Sequence, residues 1–240
     1  MAKRTSLANV IVEDLLEQVF SGELTPGNAI LSESDIARAH NVSRVTVREA
    51  LKNLEARNVV TIRRGVGTFV NPPQSWTSLE TVLRFASRTE SSAMAAVHLI
   101  EVRRIIETGA AALAARNRTE EELDQLTILL NEMVKASGRN DVDAFVQADI
   151  AFHDVILRAS RNLFVPVLFE PLSRLLYEGR VRTSAVPQIQ RNAIKKHRKV
   201  ITALQSGDPE QSRVAMDQHM SQTVHDLTTM VLCKCPEAKS

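Results

Sequence analysis

The sequence predicts a mainly α-helical protein in two parts, with three helices and a small β-hairpin first and an all-helical bundle after them. Three observations support this prediction. Hydrophobic residues make up 44%, charged residues 24% and aromatic residues only 4% of the 240 residues, which is typical of a globular chain that favours helices. A short run of strand formers with two glycines occupies residues 59–70. From residue 79 to near the C-terminus, apolar residues recur with helical spacing.

The first part begins with three predicted helices. Residues 7–20 have a helical pattern of apolar side chains that ends before the breakers in SGELTPGNAI. Ser32 is placed to cap a short helix over about 33–40, and Ser43 to cap the next over about 44–58. A serine oxygen can accept the free N–H groups of a helix's first turn. The tight HNVS segment joins these two helices.

A change to strand formers follows the third helix. In VVTIRRGVGTFV, Gly65 and Gly67 predict a turn between two short strands, and hence a β-hairpin. Three helices followed by such a hairpin, or wing, form a winged helix-turn-helix. We therefore expect a winged helix-turn-helix domain over 1–73, a linker over 74–78, an all-helical domain over 79–234 and a tail over 235–240.

Charge is unevenly distributed along a nearly neutral chain. The formal net charge is +2. Residues 5–35 hold six acidic residues and no Lys or Arg, whereas residues 36–71 hold seven basic residues and two acidic ones. A basic segment in a nearly neutral chain indicates a local contact with a polyanion rather than a surface that binds polyanions everywhere.

Three features bear on the compartment. The start of the chain lacks the apolar core of a signal peptide, and no apolar run approaches the ~20 residues of a membrane span. Cys233 and Cys235 are the only cysteines, at a spacing that seldom forms a disulfide. We expect a cytoplasmic protein with no membrane partner. For the two cysteines, a frayed tail is favoured over metal binding.

Polar and basic residues occur at the start of the third helix and at the turn of the hairpin. The second helix of a helix-turn-helix enters the major groove with its N-terminal residues at base edges. An Arg fork can bond guanine O6 and N7 together, and hydroxyls can bond phosphate oxygens. An ordinary solvated helix face is the alternative, but the order of turn, cap, arginine spacing and glycine-containing hairpin favours double-stranded DNA. The candidate DNA-binding residues are Ser43, Arg44, Thr46, Arg48, Arg63, Arg64 and Gly65.

Four residues of the helical part are candidate metal ligands. Asp149 and His153 lie four residues apart in QADIAFHDVIL and therefore share one side of a predicted helix. His197 and His219 lie on two later amphipathic helices. Three imidazoles and one carboxylate suit Zn²⁺ or another divalent first-row metal. Separate histidines on helix surfaces are the alternative, and spacing alone favours that alternative slightly.

The first part of the chain resembles a known family. LSESDIARAHNVSRVTVREALKNLEARNVVTIRRGVGTFV resembles the winged helix-turn-helix of GntR-family bacterial transcription regulators. This resemblance implies a homodimer that binds double-stranded operator DNA. One position departs from the family pattern, because Ser34 stands where the family usually has an Arg that contacts DNA. Arg44, Arg48 and the wing therefore carry more of the expected contacts.

The second part resembles the FCD ligand-binding domain of the FadR-type branch of that family. EVRRIIETGAAALAA resembles the first long helix of the domain. A D-x3-H pair followed by one His on each of two later helices resembles its metal site. The resemblance implies one divalent metal per chain, with Zn²⁺ expected first and Ni, Fe or Mn as alternatives. The implied ligands are Asp149, His153, His197 and His219.

The same resemblance implies a small carboxylate effector, such as a sugar acid or another organic acid. Arg103 matches an arginine of the family's EVRR stretch and would face that acid, with an ion pair to Glu107 as its equally weighted alternative. We therefore expect a transcription regulator whose operator affinity the acid controls. A metal-sensing regulator and a metalloenzyme with a DNA-binding appendage are the alternatives. The chain has no H-E-x-x-H motif and no nucleophile elbow, so we expect no enzymatic activity.

Overall fold

A computed structural model describes residues 6–89 and 92–232. Across these residues the chain is mainly helical, with one two-stranded antiparallel sheet, which confirms the predicted fold class. Contacts group the chain into two compact units, Met1–Ser92 and Ala93–Ser240. Both cysteines and the predicted tail lie outside the described residues. None of the described helices is long and apolar enough to span a membrane.

The first unit contains the three predicted helices and the hairpin. The side chains of Ser32 and Ser43 accept the backbone N–H groups of Asp35 and Thr46, which confirms both caps. The hairpin turns at Gly65, whose φ of 72° lies in the left-handed region that glycine adopts without steric cost. These elements are α1 (Leu7–Phe20), α2 (Glu33–Ala39), α3 (Arg44–Ala56), β1 (Val60–Arg63) and β2 (Gly67–Val70).

An apolar core holds α3 against α1. Ile11 and Leu16 of α1 and Val47, Leu51 and Leu54 of α3 are buried within it. Burying each of these side chains stabilises the fold by about 1.5–3 kcal/mol. This packing fixes the rotation of α3 about its axis, so the polar side chains between the buried positions point to solvent.

A fourth helix, α4 (Leu79–Thr89), belongs to the same unit. The Arg84 guanidinium pairs with the Glu13 carboxylate of α1 at 2.6 Å. Such contacts group α4 with the winged helix-turn-helix, whereas the boundaries drawn from the sequence begin the helical domain at residue 79. The pattern of α4 alone is amphipathic and carries no sign of which core it packs on.

The second unit is a bundle of long helices. Thr119 and Glu122 form a capping box at the start of α6. Gly207 ends α9 with φ 70°, and Asp208 caps the helix that follows. The helices are α5 (Ser92–Asn117), α6 (Glu120–Gly138), α7 (Val142–Ala159), α8 (Phe164–Ser184), α9 (Pro187–Ser206) and α10 (Pro209–Asp226), and a π-helical turn covers Leu227–Leu232.

Helix α8 continues through Arg180, Arg182 and Thr183, which lie in its last turns. The Thr183 hydroxyl bonds back to the Gly179 carbonyl at 3.2 Å, as serine and threonine do within helices. The chain leaves the helix only where Pro187 holds the residue before it in an extended conformation.

The bundle core positions the helices that carry the candidate metal ligands. Phe145 and Phe152 of α7 pack with Leu204 of α9 and with Met216 and Met220 of α10. All five side chains are at most 2% exposed. Because this core fixes the rotation of α7, α9 and α10, the polar residues next to it also point inward.

Candidate functional site

The first turn of α3 presents polar side chains to solvent. The side chains of Arg44 and Arg48 are 60% and 58% exposed. Ser43 and Thr46 lie beside them, with their hydroxyl oxygens 3.0 Å apart. Two arginines and two hydroxyls thus share one accessible end of the helix, where base edges and phosphates can be reached together.

One glutamate of α2 contacts both arginines. Nε of Arg48 donates to the two carboxylate oxygens of Glu33 at 3.1 and 2.9 Å, and Nη2 of Arg44 donates at 3.4 Å. Exposed ion pairs of this kind contribute about 0.2–1 kcal/mol each. A phosphate or a guanine can therefore replace Glu33 at little cost, while Glu33 keeps both forks near the helix end.

The hairpin places two further arginines at its tip. Arg63 ends β1 opposite Gly67, and its guanidinium lies 4.8 Å from the centre of the Phe69 ring. Arg64 and Gly65 follow in the turn, and both are exposed. The seven candidate DNA-binding residues thus lie at two sites of the first unit, the start of α3 and the tip of the wing.

Three histidines meet inside the second unit. His153 of α7, His197 of α9 and His219 of α10 are 1%, 0% and 4% exposed. The Nε2 atom of His153 lies 3.3 Å from the Nε2 atom of each of the other two. The alternative considered from the sequence, separate histidines on helix surfaces, does not hold for these three residues.

Asp149 lies beside the three histidines. Its Oδ1 atom is 3.3 Å from Nε2 of His197 and 3.8 Å from Nε2 of His153. Its Oδ2 atom is 3.2 Å from Nε of Arg180. The structure thus brings the four sequence-predicted metal residues into one cluster, in which the carboxylate links the histidines to an arginine.

Glu107 contacts the cluster from the other side of His153. Its Oε1 atom accepts a hydrogen bond from Nε of Arg103 at 2.7 Å, and its Oε2 atom contacts Nδ1 of His153. His153 thus turns Nδ1 towards Glu107 and Nε2 towards the other two histidines. Arg103 therefore forms the ion pair with Glu107 that was one of its two expected roles, and its Nη2 atom lies 3.4 Å from Nε2 of His153.

Both buried carboxylates of this cluster are ionised at neutral pH. Burial acts to raise the pKa of Glu107, but Arg103 and His153 outweigh it and hold that pKa well below its ordinary value. Burial also acts to raise the pKa of Asp149, and there Arg180 and His153 lower the pKa below its ordinary value. Each carboxylate is thus stabilised by a guanidinium at hydrogen-bonding distance.

The histidines are held in the form that binds metal. Burial lowers the pKa of His197 to about 3, although the charge of Asp149 opposes it. Burial, with added effects of His197 and His153, lowers the pKa of His219 well below its ordinary value. Both imidazoles are consequently neutral at pH 7, and neutral imidazole is the metal ligand.

This donor set fits a divalent metal ion. Zn²⁺ holds imidazole nitrogens at about 2.0–2.1 Å, so tetrahedral ligands lie about 3.3–3.4 Å from one another. The 3.3 Å spacings from His153 Nε2 to Nε2 of His197 and of His219, and from Asp149 to His197, have this size, and Asp149 lies somewhat farther, at 3.8 Å, from His153. The contact of Glu107 with His153 Nδ1 is also the arrangement that commonly orients a metal-binding histidine.

A cavity of about 50 Å³ borders the cluster. Arg103, Asp149 and His219 line it, together with Arg180 and Asp226. The Nη2 atom of Arg180 is buried and has no hydrogen-bond partner among the described residues. Burial and the nearby Arg103 lower the pKa of Arg180 to about 10, which still leaves the guanidinium charged at pH 7.

Sequence reasoning missed Asp226 and the part that Glu107 plays beside His153. Asp226 follows His219 by seven residues, or two helical turns, and so shares its side of α10. That spacing was a usable signal. No comparable signal existed for Glu107, because the same i,i+4 spacing to Arg103 also describes an ordinary surface pair.

The chain belongs to the GntR family of bacterial regulators. Residues 7–70 match the family described as bacterial regulatory proteins, gntR family, and residues 98–222 match the FCD domain. Together these place the chain in the FadR-type branch with an FCD domain. It is accordingly a DNA-binding transcription regulator.

Named relatives agree with this assignment. The HTH-type transcriptional regulator LutR of Bacillus subtilis is 32% identical over 84% of this chain and 92% of its own length. The galactonate operon transcriptional repressor of Escherichia coli is 28% identical over 91% of this chain and 96% of its own. Lar of Listeria monocytogenes has a similar fold, with a TM-score of 0.58 at 21% identity over 95% of this chain and 99% of that one.

Replacing Arg44 or Arg48 by alanine should weaken specific DNA binding by about 1–3 kcal/mol if the fork reads a base. Their exposure and shared contact with Glu33 motivate this expectation. Binding to a selected operator fragment and to nonspecific DNA would be compared by fluorescence anisotropy.

Arg63→Ala and Arg64→Ala are the matched variants in the wing. Their losses should be similar on both DNAs and should reduce the salt dependence of binding, as expected for phosphate contacts. An equal loss on both DNAs for Arg44→Ala and Arg48→Ala would assign those arginines to phosphates as well.

Proposed function

We propose that this regulator binds a small carboxylate over a divalent metal ion in its second unit, and that the bound acid changes its affinity for operator DNA. The observation that carries the proposal is one cavity bordered by the histidine cluster and by two buried arginines. Arginine forks bind carboxylates at two points. An acid of this kind is also indicated by the galactonate operon repressor, whose sequence is similar to this chain over almost its whole length.

In this proposal, Asp149, His153, His197 and His219 hold the metal, which adds positive charge beside the acid. Four protein ligands complete a tetrahedron, so the acid joins the ion only if the coordination number rises above four. Arg180 has a buried Nη2 donor with no partner among the described residues, and it is the guanidinium best placed to bind the acid. Arg103 contributes charge while it remains paired with Glu107.

The size of the cavity connects ligand binding to a change of shape. About 50 Å³ is far below the ~300–1,000 Å³ of ordinary ligand pockets. An organic acid can therefore enter only if the helices around the cavity move apart. A ligand that binds an opened arrangement better than the closed one shifts the equilibrium between them, and this difference is the free energy available to alter DNA binding.

For DNA, we propose that Ser43, Arg44, Thr46 and Arg48 contact the major groove and that the wing contacts the adjacent backbone. The basic wing carries Arg63 and Arg64 at its exposed tip. A homodimer would present two such surfaces to two half-sites of an operator.

An exposed apolar surface on α8 supports the homodimer. Leu163, Phe164, Val167 and Leu168 are 63–86% exposed at the start of this helix, and contiguous apolar surface of this kind often marks an interface. We expect Phe164→Ser to shift sedimentation from dimer towards monomer. Ile128→Ser, at a 58% exposed site on α6, is the matched control. A wild type that sediments as a monomer would contradict the dimer.

We expect about one divalent metal per chain in the purified protein, and His197→Ala should lose most of it. The substitution removes a fully buried nitrogen ligand, and a metal that links α7, α9 and α10 stabilises only the folded arrangement. The melting temperature of the variant should therefore lie below that of the metal-loaded wild type. Elemental analysis and thermal unfolding measure both effects.

His225→Ala is the control for this experiment, because His225 is exposed on α10 only six residues after His219. It should keep its metal. Equal metal content in the His197 and His225 variants would remove His197 from the site. Since the pKa of His197 is lowered to about 3, protons should compete with the metal there only well below the ordinary pKa of ~6.5.

A small acid that raises the melting temperature of the metal-loaded protein should change operator affinity about 5–150-fold. Galactonate is the first probe, within a panel of sugar acids and other hydroxy acids. Chelation with EDTA should abolish the response to the acid. If EDTA alone changes operator affinity as much as the acid does, the metal-sensing alternative is correct. An acid that binds without changing DNA affinity would contradict the proposed control.

A further inference from the structure

Asp226 is a buried carboxylate at the cavity that neither metal nor DNA binding uses. It ends α10, is 2% exposed and lines the cavity together with Arg180. Its oxygens accept hydrogen bonds from Nδ2 of Asn192 at 3.0 and 3.1 Å and from Nε2 of Gln222 at 2.9 Å. It has no ion pair among the described residues, which is unusual for an acid so deeply buried.

The position of Asp226 separates it from the metal cluster. His219 and Asp226 lie on the same side of α10, two turns or about 10 Å apart along the helix. Thr223, between them, also lines the cavity, as do Gln222 and, from α8, Thr183. The cavity therefore has cations and metal ligands near His219, and neutral hydrogen-bonding groups with one acid near Asp226.

The charges lining the cavity define what it can accept. Arg103 and Arg180 balance Glu107 and Asp149, so these four groups contribute no net charge. A divalent ion adds two positive charges, and the Asp226 carboxylate adds one negative charge. The net charge of the site is then +1, which a ligand with a single negative charge neutralises. A second ligand carboxylate would lie near Asp226 in a site of low dielectric, where like charges repel strongly.

Asp226 has acceptor capacity left for a ligand donor. An ionised carboxylate offers about four acceptor positions, and two amide groups occupy part of them. A ligand hydroxyl supplies a donor without adding charge. An ammonium group would be disfavoured, because two guanidiniums and a metal ion already surround the same small cavity.

We infer that Asp226, with Gln222 and Thr223, binds hydroxyl groups of the effector, so that the site selects short hydroxylated monocarboxylates. This inference rests on the proposed acid-binding function and adds the class of acid. The carboxylate of the ligand lies towards Arg180, and its hydroxyls lie towards Asp226 in the same small cavity. Asp226 is thus a specificity-determining residue, whereas the metal and arginine end binds any small acid.

The test uses full-length, Zn²⁺-loaded protein and matched acids with chains of three, four and six carbons. The six-carbon set is galactonate, hexanoate, galactarate and 6-aminohexanoate, which differ in hydroxyls, second carboxylate and amine. Calorimetric titration should give tighter binding of the hydroxylated monocarboxylate in at least one chain length. The advantage over the unsubstituted acid should be about ten- to a hundredfold, the size of one hydrogen bond to a charged group.

Asp226→Asn should reduce the preference for the hydroxylated monocarboxylate. It should change the affinity for this acid relative to the other acids, rather than weaken the binding of all acids equally. The hydroxy monocarboxylate should bind about tenfold more weakly, and the matched dicarboxylate should bind more tightly than it does to wild type. Metal content should not change. Asp217→Asn, the same substitution at a partly exposed site of α10, should leave every ratio as in wild type.

The outcomes separate this inference from the proposed function. If no acid binds at any chain length, both fail. If hexanoate, galactarate or 6-aminohexanoate and their shorter counterparts bind as tightly as the hydroxy acids, the acid-binding function stands and the inference fails. If Asp226→Asn weakens all acids equally, Asp226 acts only in the structure, and the inference also fails. Should that variant not fold, Thr223→Val must reduce the preference for hydroxy acids for the inference to stand.

Discussion

The second unit depends on a carboxylate buried at 1% exposure among long helices. An unpaired charge there would cost several kcal/mol, so Glu107 requires both Arg103 and His153 as partners. Those contacts hold the Arg103 fork and the His153 ring in place together. The Nε2 atom of His153 then lies 3.3 Å from Nε2 of both His197 and His219, so His153 connects Glu107 of α5 to α9 and α10.

This dependence explains why so much polar chemistry is stable inside an apolar bundle. Around the cluster, Phe145, Phe152 and Met216 exclude water, and this burial lowers the pKa values of His197 and His219. The same exclusion strengthens each attraction between a guanidinium and a carboxylate. Packing and electrostatics therefore act on the same helices: the core sets their rotation, and the ion pairs set which polar atoms meet at the cavity.

The sequence predicted most of the fold because its signals were local. Caps at Ser32 and Ser43 and the glycine turn of the wing each involve residues at most a few positions apart. The histidine cluster needed the family resemblance, because α7, α9 and α10 carry no local sign that they meet. The membership of α4 in the first unit and the position of Asp226 at the cavity depend on tertiary packing, which amphipathic patterns do not specify.

Both units contain ion pairs between arginine and glutamate, but the pairs differ in how deeply they are buried. Glu33 is partly exposed, so its contacts with Arg44 and Arg48 are weak and a DNA phosphate can replace them. Glu107 is buried and cannot leave Arg103 without exposing an unpaired charge to an apolar interior. The arginines of α3 can therefore exchange Glu33 for another partner, whereas Arg103 cannot exchange Glu107. Within the cavity, the Nη2 atom of Arg180 is buried and has no hydrogen-bond partner among the described residues, and the proposed function therefore gives the incoming anion to Arg180.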